Sequence, residues 1–148
     1  MLQTPRSPYF PHVYAWLAIN HEQGTLGGGA GDTFGALDMD AWLNGFHLPH
    51  TIATPDSVFS SHSHDDTRAA MLPLFEKMRQ RGFSKTELET CNIKRLSDTT
   101  AVVSTIWSRF AADELLERIG ATYFVMCGEQ GWKAVMVTTH GPEALAIS

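Results

Sequence analysis

Charged residues are scarce in this chain of 148 residues, at 18%. The 11 Lys and Arg against 16 Asp and Glu leave a net charge of −5, which opposes binding to nucleic acid or to anionic lipid. No apolar run approaches the ~18–20 residues of a membrane span, and the first residues lack the apolar stretch of a signal peptide. We therefore expect a cytoplasmic protein with neither nucleic acid nor membrane as a partner.

Cysteine is scarce as well, with two residues, Cys91 and Cys127. They have no CxxC spacing and no secretory context, so free thiols are expected rather than a disulfide or a metal site. Phosphate-loop chemistry is also missing. The glycine-rich segment 24–31 lacks the GxxxxGK[ST] pattern and a nearby basic residue, which indicates a flexible connector.

Apolar residues are plentiful, at 43% of the chain. A chain of this length suits one domain, which can bury a core without disulfides or a structural metal. We expect a single domain over residues 1–148, with 1–7 and 141–148 as tails and no cofactor.

Helices are predicted first along the chain. Residues 8–20 carry apolar side chains at helical spacing. A second helix is predicted to begin at Asp32 as its N-cap, to continue through Phe46 and to end before Pro49, because a residue that precedes proline is pushed out of the α region.

A third helix is predicted over residues 65–80. Ser63 to Asp66 supply its N-terminal caps, Gly82 ends it, and Pro73 inside it is expected to kink or divide it. Its apolar face is expected to contain Met71, Leu72, Leu74, Phe75 and Met78.

Strand patterns dominate the rest of the chain. Two short strands, 51–54 and 57–60, flank a turn at Pro55 and Asp56. Four long strands joined by short turns then predict an antiparallel meander, over residues 86–96, 101–111, 115–127 and 132–140. Helices followed by a sheet indicate the α+β class.

This order of elements, with the stretches 42–49, 101–110 and 121–140, resembles the nuclear transport factor 2-like superfamily. That superfamily includes the ketosteroid isomerases and the SnoaL-like proteins. The resemblance implies a cone, in which a strongly curved sheet wraps around three helices and leaves a pocket at its open end. It also implies a homodimer that forms through the outer face of the sheet.

The resemblance gives no support to isomerase chemistry. The position of the family's carboxylate base is Leu48, and the position of its protonated acid falls near Ile119 or Gly120. Tyr14 matches the tyrosine that donates to the oxyanion, but a phenol without those partners makes no mechanism.

Polar contacts to a ligand are predicted from the strand pairing. A two-residue turn at 113–114 places Ser104 opposite Tyr123, and a four-residue turn at 128–131 places Tyr123 opposite Met136. Alternation then puts these three side chains on the interior face with His140, and puts Arg109 on the outer face. Trp16, on the first helix, is the aromatic residue most suited to stacking on a ligand, whereas Trp42, Trp107 and Trp132 are expected in the core.

Histidine provides the remaining chemical candidates. His47 and His50 flank the expected pocket mouth and could act as a general base. We favour the alternative, in which one ring points into solvent and the other bonds the backbone. His62, His64, Asp65 and Asp66 could hold a divalent ion. A capped helix start explains the same residues without metal, and we favour the cap.

The leading hypothesis is a SnoaL-like domain, a homodimer, that binds a small, largely apolar organic molecule, with catalysis unproven. The predicted ligand contacts are Tyr14, Trp16, His50, Ser104, Tyr123, Met136 and His140. The alternatives are an isomerase or hydrolase of the same fold with His47 or His50 as base, and a non-catalytic module that binds another protein.

Overall fold

The computed structural model describes residues 39–144, in which two helices and six strands follow one another along the chain. The predicted first helix over 8–20, the segment 24–31 and the start of the second helix lie outside these residues. The helices are α1 (Met39–Leu43) and α2 (His64–Gln80). The strands are β1 (Phe46–Ala53), β2 (Val58–Ser61), β3 (Lys85–Arg95), β4 (Thr100–Ala111), β5 (Glu114–Gly128) and β6 (Gly131–His140).

The strands form one curved sheet in the order β2-β1-β6-β5-β4-β3. β3 to β6 make the predicted antiparallel meander, since each strand pairs with the next one along the chain. The β1–β2 hairpin joins this meander through a parallel pairing of β1 with β6. The predicted α+β architecture is confirmed, with the four long strands each within two residues of their predicted ends.

The prediction that the second helix continues through Phe46 is wrong. The helix ends at Leu43, and a strand runs from Phe46 through Pro49 to Ala53. The N–H of Ala134 donates to the carbonyl of Gly45 at 2.9 Å, so β6 supplies backbone partners that a longer helix would forgo. This contact joins residues far apart in sequence and overrides the local helical spacing.

Helix α2 begins where the sequence predicts. Ser63 has extended backbone angles, and its hydroxyl accepts a hydrogen bond from the N–H of Asp66 at 3.1 Å. Gly82, with φ of 76°, follows the helix end. Pro73 lies inside one continuous helix, so the helix is not divided.

The apolar face of α2 is narrower than predicted. Phe75 and Met78 are buried and Met71 packs against the core, but Leu72 and Leu74 are exposed. Neither described helix has the length and apolar character needed to cross a membrane.

The core lies between these helices and one face of the sheet. Trp42 contacts the rings of Phe46 and Phe75, with centroids 4.8 and 5.6 Å apart. Trp107 and Trp132 are buried as predicted. Both cysteines are free thiols, which confirms that prediction; Cys91 is buried and Cys127 half-buried.

The predicted pairing of β4 with β5 is wrong by one residue. Ser104 is predicted to lie opposite Tyr123, whereas it pairs with Thr122. The hairpin turn lies one residue earlier than predicted, and a bulge between Arg109 and Phe110 shifts the pairing again. Because side chains alternate between faces, this offset moves every β4 residue to the opposite face from the predicted one.

A second bulge changes the last hairpin. At the turn the predicted pair of Cys127 with Trp132 is confirmed. Beyond the bulge, Tyr123 pairs with Val137 rather than with Met136. The part of β6 that follows the bulge therefore directs its odd-numbered side chains toward the helices.

Candidate functional site

A cavity of about 80 Å³ lies between the helices and the curved sheet. Its described wall is mostly apolar: Trp42, Phe46, Ile52, Met71, Leu74, Trp107, Ile119, Ala121 and Val137. Leu74 is 38% exposed, which places part of this wall at the protein surface beside α2.

Four polar side chains interrupt the apolar wall, namely Thr86, Arg109, Tyr123 and Thr139. Thr86 and Arg109 are cross-strand partners on β3 and β4. Directly opposed residues in an antiparallel pair have Cβ atoms about 4.5–5.5 Å apart, so these two side chains are neighbours in the wall. They form the polar end of the cavity.

Arg109 is anchored by an ion pair. Its Nη1 donates to Oε2 of Glu117 at 2.8 Å, and Nη1 of Arg81 donates to the other carboxylate oxygen at 2.9 Å. Glu117 is thus shared between the C-terminal end of α2 and the sheet.

Burial changes the titration of this group. Burial lowers the pKa of Arg109, while the charge and hydrogen bond of Glu117 act in the opposite direction. Burial alone would raise the pKa of Glu117, but the hydrogen bond from Arg81 and the charge of Arg109 outweigh it and lower the pKa. The lowered pKa keeps the Glu117 carboxylate charged at neutral pH.

The hydroxyl of Thr86 has no hydrogen-bond partner within the protein. The residue is 3% exposed, and its Oγ1 makes no hydrogen bond within the protein. A buried polar group without a hydrogen bond costs stability unless water or a ligand satisfies it. This hydroxyl therefore marks the place where an occupant of the cavity would gain most from a polar contact.

A hydrogen-bonded chain fixes the wall next to this polar end. The indole N–H of Trp107 donates to Oγ1 of Thr105 at 2.7 Å, and that hydroxyl donates to the carbonyl of Ala121 at 2.6 Å. The indole is thereby held in one orientation, with its ring forming part of the cavity.

The structure places only one of the seven predicted ligand contacts in the described wall of the cavity, and that residue is Tyr123. Tyr14 and Trp16 lie outside the described residues. The predictions that Ser104, Met136 and His140 face the interior are wrong, because the bulges turn them to the opposite face of the sheet. The prediction that Arg109 faces outward is wrong for the same reason.

On that opposite face the polar residues bond one another. Ser104 and Thr122 share a hydrogen bond of 3.0 Å between their hydroxyls, and Thr122 donates to Nε2 of His140 at 2.8 Å. The other ring nitrogen of His140 donates to the carbonyl of Gly141 at 2.9 Å. These residues stabilise the sheet away from the cavity.

His50 is a buried structural residue in this geometry. Its Nδ1 donates to the carbonyl of His47 at 2.7 Å, which leaves Nε2 as the acceptor of the Thr67 hydroxyl at 2.8 Å. Burial lowers its pKa. The ring contacts Phe46, at 4.9 Å between centroids, and is not part of the described cavity wall.

His47 lies in a separate and more open depression of about 460 Å³. His64 and Lys133 line the same depression. Neither of the two histidines proposed as a base therefore lines the apolar cavity. None of its described lining residues is Asp, Glu, His or Cys.

The start of α2 has the geometry of a cap. Ser63 binds the N–H of Asp66, and Asp65 accepts from Nη1 of Arg68 at 2.7 Å. Within residues 39–144 no group of three His, Cys, Asp or Glu side chains is placed to hold a metal ion.

The positions at which the family carries its acids contain apolar groups here. Leu48 lies in β1 and is exposed. Ile119 lines the cavity, and Gly120 faces the opposite side, where the ring of His140 covers it.

Thr86 is the residue of the site that sequence reasoning missed. A threonine at the beginning of a strand has no unusual signal, and its facing depends on the bulge in β3 between Leu88 and Thr90. Arg109 carried a usable signal, because it is the only charged residue of β4.

Solved structures with this architecture are NTF2-like and cystatin-like proteins. An NTF2-like protein of unknown function from Shewanella oneidensis is 17% identical, with a TM-score of 0.64 over 87% of this chain and 96% of that one. A domain with a cystatin-like fold from Nostoc punctiforme is 10% identical, with a TM-score of 0.67 over 95% and 80%. A ketosteroid isomerase-like protein from Erwinia carotovora is 13% identical, with a TM-score of 0.56 over 87% and 89%. These likenesses show that the chain shares the fold of these proteins.

The particular family follows from the sequence itself. Residues 27–142 match the family model described as NTF2-like protein (DUF6841), and the chain belongs to this family. A search among curated proteins gives no significant match.

Proposed function

We propose that this protein binds a small, largely apolar organic molecule in the cavity between the helices and the sheet. The observation that carries the proposal is the wall itself, which is apolar except for four polar side chains, two of which, Thr86 and Arg109, are cross-strand neighbours. Ligand sites in proteins have this composition, since apolar contacts supply affinity and a few polar groups orient the ligand.

The size of the cavity limits the ligand. At about 80 Å³ it is well below the roughly 300–1,000 Å³ of sites for drug-sized molecules. We infer a ligand of a single ring or a short chain. A larger ligand would require Leu74 and Met71 of α2 to move outward.

Binding is favoured over acid–base catalysis by the position of the titratable groups. Both nitrogens of His50 are engaged in hydrogen bonds, and His47 lies at the separate depression. The enzyme hypothesis and the protein-interaction hypothesis stay predictions, and no observation on the described residues favours either over ligand binding.

The test is a binding screen with small neutral probes: toluene, indole and cyclohexanone, followed by ligand-observed NMR. We expect at least one probe to bind wild-type protein and to lose its binding in Ala121→Leu, because Ala121 lines the cavity and a leucine there fills it. Ala69→Leu is the matched control, since Ala69 is exposed on α2.

A folded Ala121→Leu variant that binds the probe as wild type does would exclude the cavity as the site. A wild-type protein that binds none of the probes would contradict the proposal as well.

A further inference from the structure

Thr86 carries a buried hydroxyl that the fold itself does not use. The hydroxyl has no hydrogen-bond partner within the protein, and the cross-strand neighbour of Thr86, Arg109, donates from Nη1 to Glu117 instead. Valine is also β-branched and suits the same strand position without placing a polar atom there. Because a buried hydroxyl without a partner costs stability, threonine at this position is unfavourable for the folded chain alone.

The cavity is the place where this hydroxyl can find a partner. Thr86 lines the cavity beside apolar side chains of β4 and β5, among them Trp107, Ile119 and Ala121. Only 3% of Thr86 is exposed, so bulk solvent does not supply the missing hydrogen bond. The partner must therefore be something that occupies the cavity, either an ordered water or a ligand.

The hydroxyl places one requirement on a ligand. A threonine hydroxyl both donates and accepts, so it can pair with either a donor or an acceptor, whereas a hydrocarbon offers neither. A site that hydrogen-bonds its ligand discriminates against the analogue without the matching group, because the buried polar group of the protein is then left unpaired.

We propose that Thr86 determines the specificity of this cavity by selecting a ring or short chain that carries one hydroxyl or carbonyl oxygen over the corresponding hydrocarbon. The oxygen lies at Thr86, and the apolar body lies against Trp107 and Ile119. The hydrogen bond joins neutral groups, so it requires no charge on the ligand. This inference rests on the proposed function and adds to it the chemical class of the ligand and the residue that recognises it.

The experiment compares phenol with toluene, which have nearly the same shape and differ in the polar group. Dissociation constants of both probes are measured at pH 7, where phenol is neutral, for the wild-type protein and for Thr86→Val. We expect the ratio of phenol affinity to toluene affinity to fall about tenfold in the variant, because the hydroxyl that pairs with phenol is gone. Comparing the two ratios cancels the different hydration of the two probes.

Two further variants separate the hydroxyl from the shape of the side chain. Thr86→Ser keeps the hydroxyl and should keep most of the wild-type ratio. Thr90→Val makes the same change as Thr86→Val on the same strand, outside the described cavity wall, and should leave the ratio unchanged. The thermal midpoint of Thr86→Val should be equal to or above that of wild type, because the lost hydroxyl had no partner within the protein.

The same ratio of phenol affinity to toluene affinity in wild type and in Thr86→Val would overturn this inference and leave the proposed function standing. That result is the one expected if a buried water, rather than the ligand, satisfies the hydroxyl. An equal fall of the ratio in Thr90→Val would overturn the inference too, because the effect would then not belong to the cavity. A failure of phenol, toluene and the other neutral probes to bind the wild-type protein would overturn the proposed function itself.

Discussion

The ring of His140 lies against Gly120 and occupies the space where a side chain would begin. A Cβ atom built on Gly120 would lie 2.2 Å from Cε1 and Nδ1 of that ring and 2.9 Å from the carbonyl of Gly141. The ring cannot move freely, because both of its nitrogens are hydrogen-bonded. The absence of a side chain at Gly120 in β5 thus allows the ring of His140 in β6 to lie against that strand.

We predict that Gly120→Ala destabilises the protein by about 1–3 kcal/mol, because the methyl group must displace the ring or the backbone of Gly141. Gly128→Ala is the matched control in the same strand, since a Cβ there would meet nothing within 4 Å. Urea unfolding of the two variants checks this prediction. Equal stabilities would show that the ring of His140 does not occupy the place described.

In helix α2, residues of the types that bind metal ions cap and stabilise the start of the helix instead. The sequence motif from His62 to Asp66 suits a divalent ion, yet Ser63 caps the helix and Asp65 pairs with Arg68. Acidic residues in the first turn also interact favourably with the helix dipole.

We predict that Ser63→Ala lowers the free energy of unfolding by about 1 kcal/mol, because the N–H of Asp66 loses its acceptor. Ser63→Asp keeps an acceptor at the cap and should retain most of the wild-type stability. Thermal unfolding with and without EDTA completes the test, and the midpoint should be the same in both. A large decrease on adding EDTA would contradict the cap interpretation and favour a metal site.

The strands show which features of the secondary structure could be predicted from the sequence. Alternating β-branched and aromatic residues predict the positions of β3 to β6 closely, because a strand in a sheet with a buried face needs that pattern. The facing of β4 could not be predicted, since it depends on a bulge whose position no local pattern specifies. Because of that single bulge, Arg109 rather than Ser104 faces the cavity.

At the scale of the whole molecule, the pKa is lowered in the folded protein for one histidine and two glutamates among the described residues. Burial lowers the pKa of His50, and the hydrogen bond from Arg118, followed by that from Ser108, lowers the pKa of Glu89. The pKa of Glu117 is lowered as well. In each case the unfolded chain binds protons more readily than the folded one does.

We predict that the free energy of unfolding falls as the pH is lowered, because protons favour the unfolded state at all three groups. The loss should begin near pH 6.5, where unfolded histidine titrates, and steepen below about pH 4.5, where unfolded glutamate does. Urea unfolding at pH 7, 5.5 and 4 checks the sign.

A matched pair of variants assigns the acidic part of this loss. Glu89→Gln should reduce the loss below about pH 4.5, because it removes the carboxylate that Arg118 holds with two hydrogen bonds of 2.8 Å. Glu114→Gln, at an exposed position, shows the effect of removing one negative charge by itself. Stability that rises as the pH falls from 7 to 4 would contradict the prediction.

The homodimer and the cytoplasmic location stay predictions at this scale. A dimer depends on a second chain against the outer sheet face, and the location depends on the cell. Neither is a property of the contacts within residues 39–144.

The scarcity of charge and the order of the apolar patterns determined by themselves that this chain forms helices followed by a meander. The absence of acids at Leu48 and at Ile119 or Gly120 could also be read without a structure. The tertiary structure alone decided that Arg109 and Thr86 meet at the end of an apolar cavity while His50 and His140 do not line it. The physical reason is that secondary structure follows from local side-chain periodicity. The facing of a strand residue follows from long-range pairing, which one extra residue in a bulge reverses.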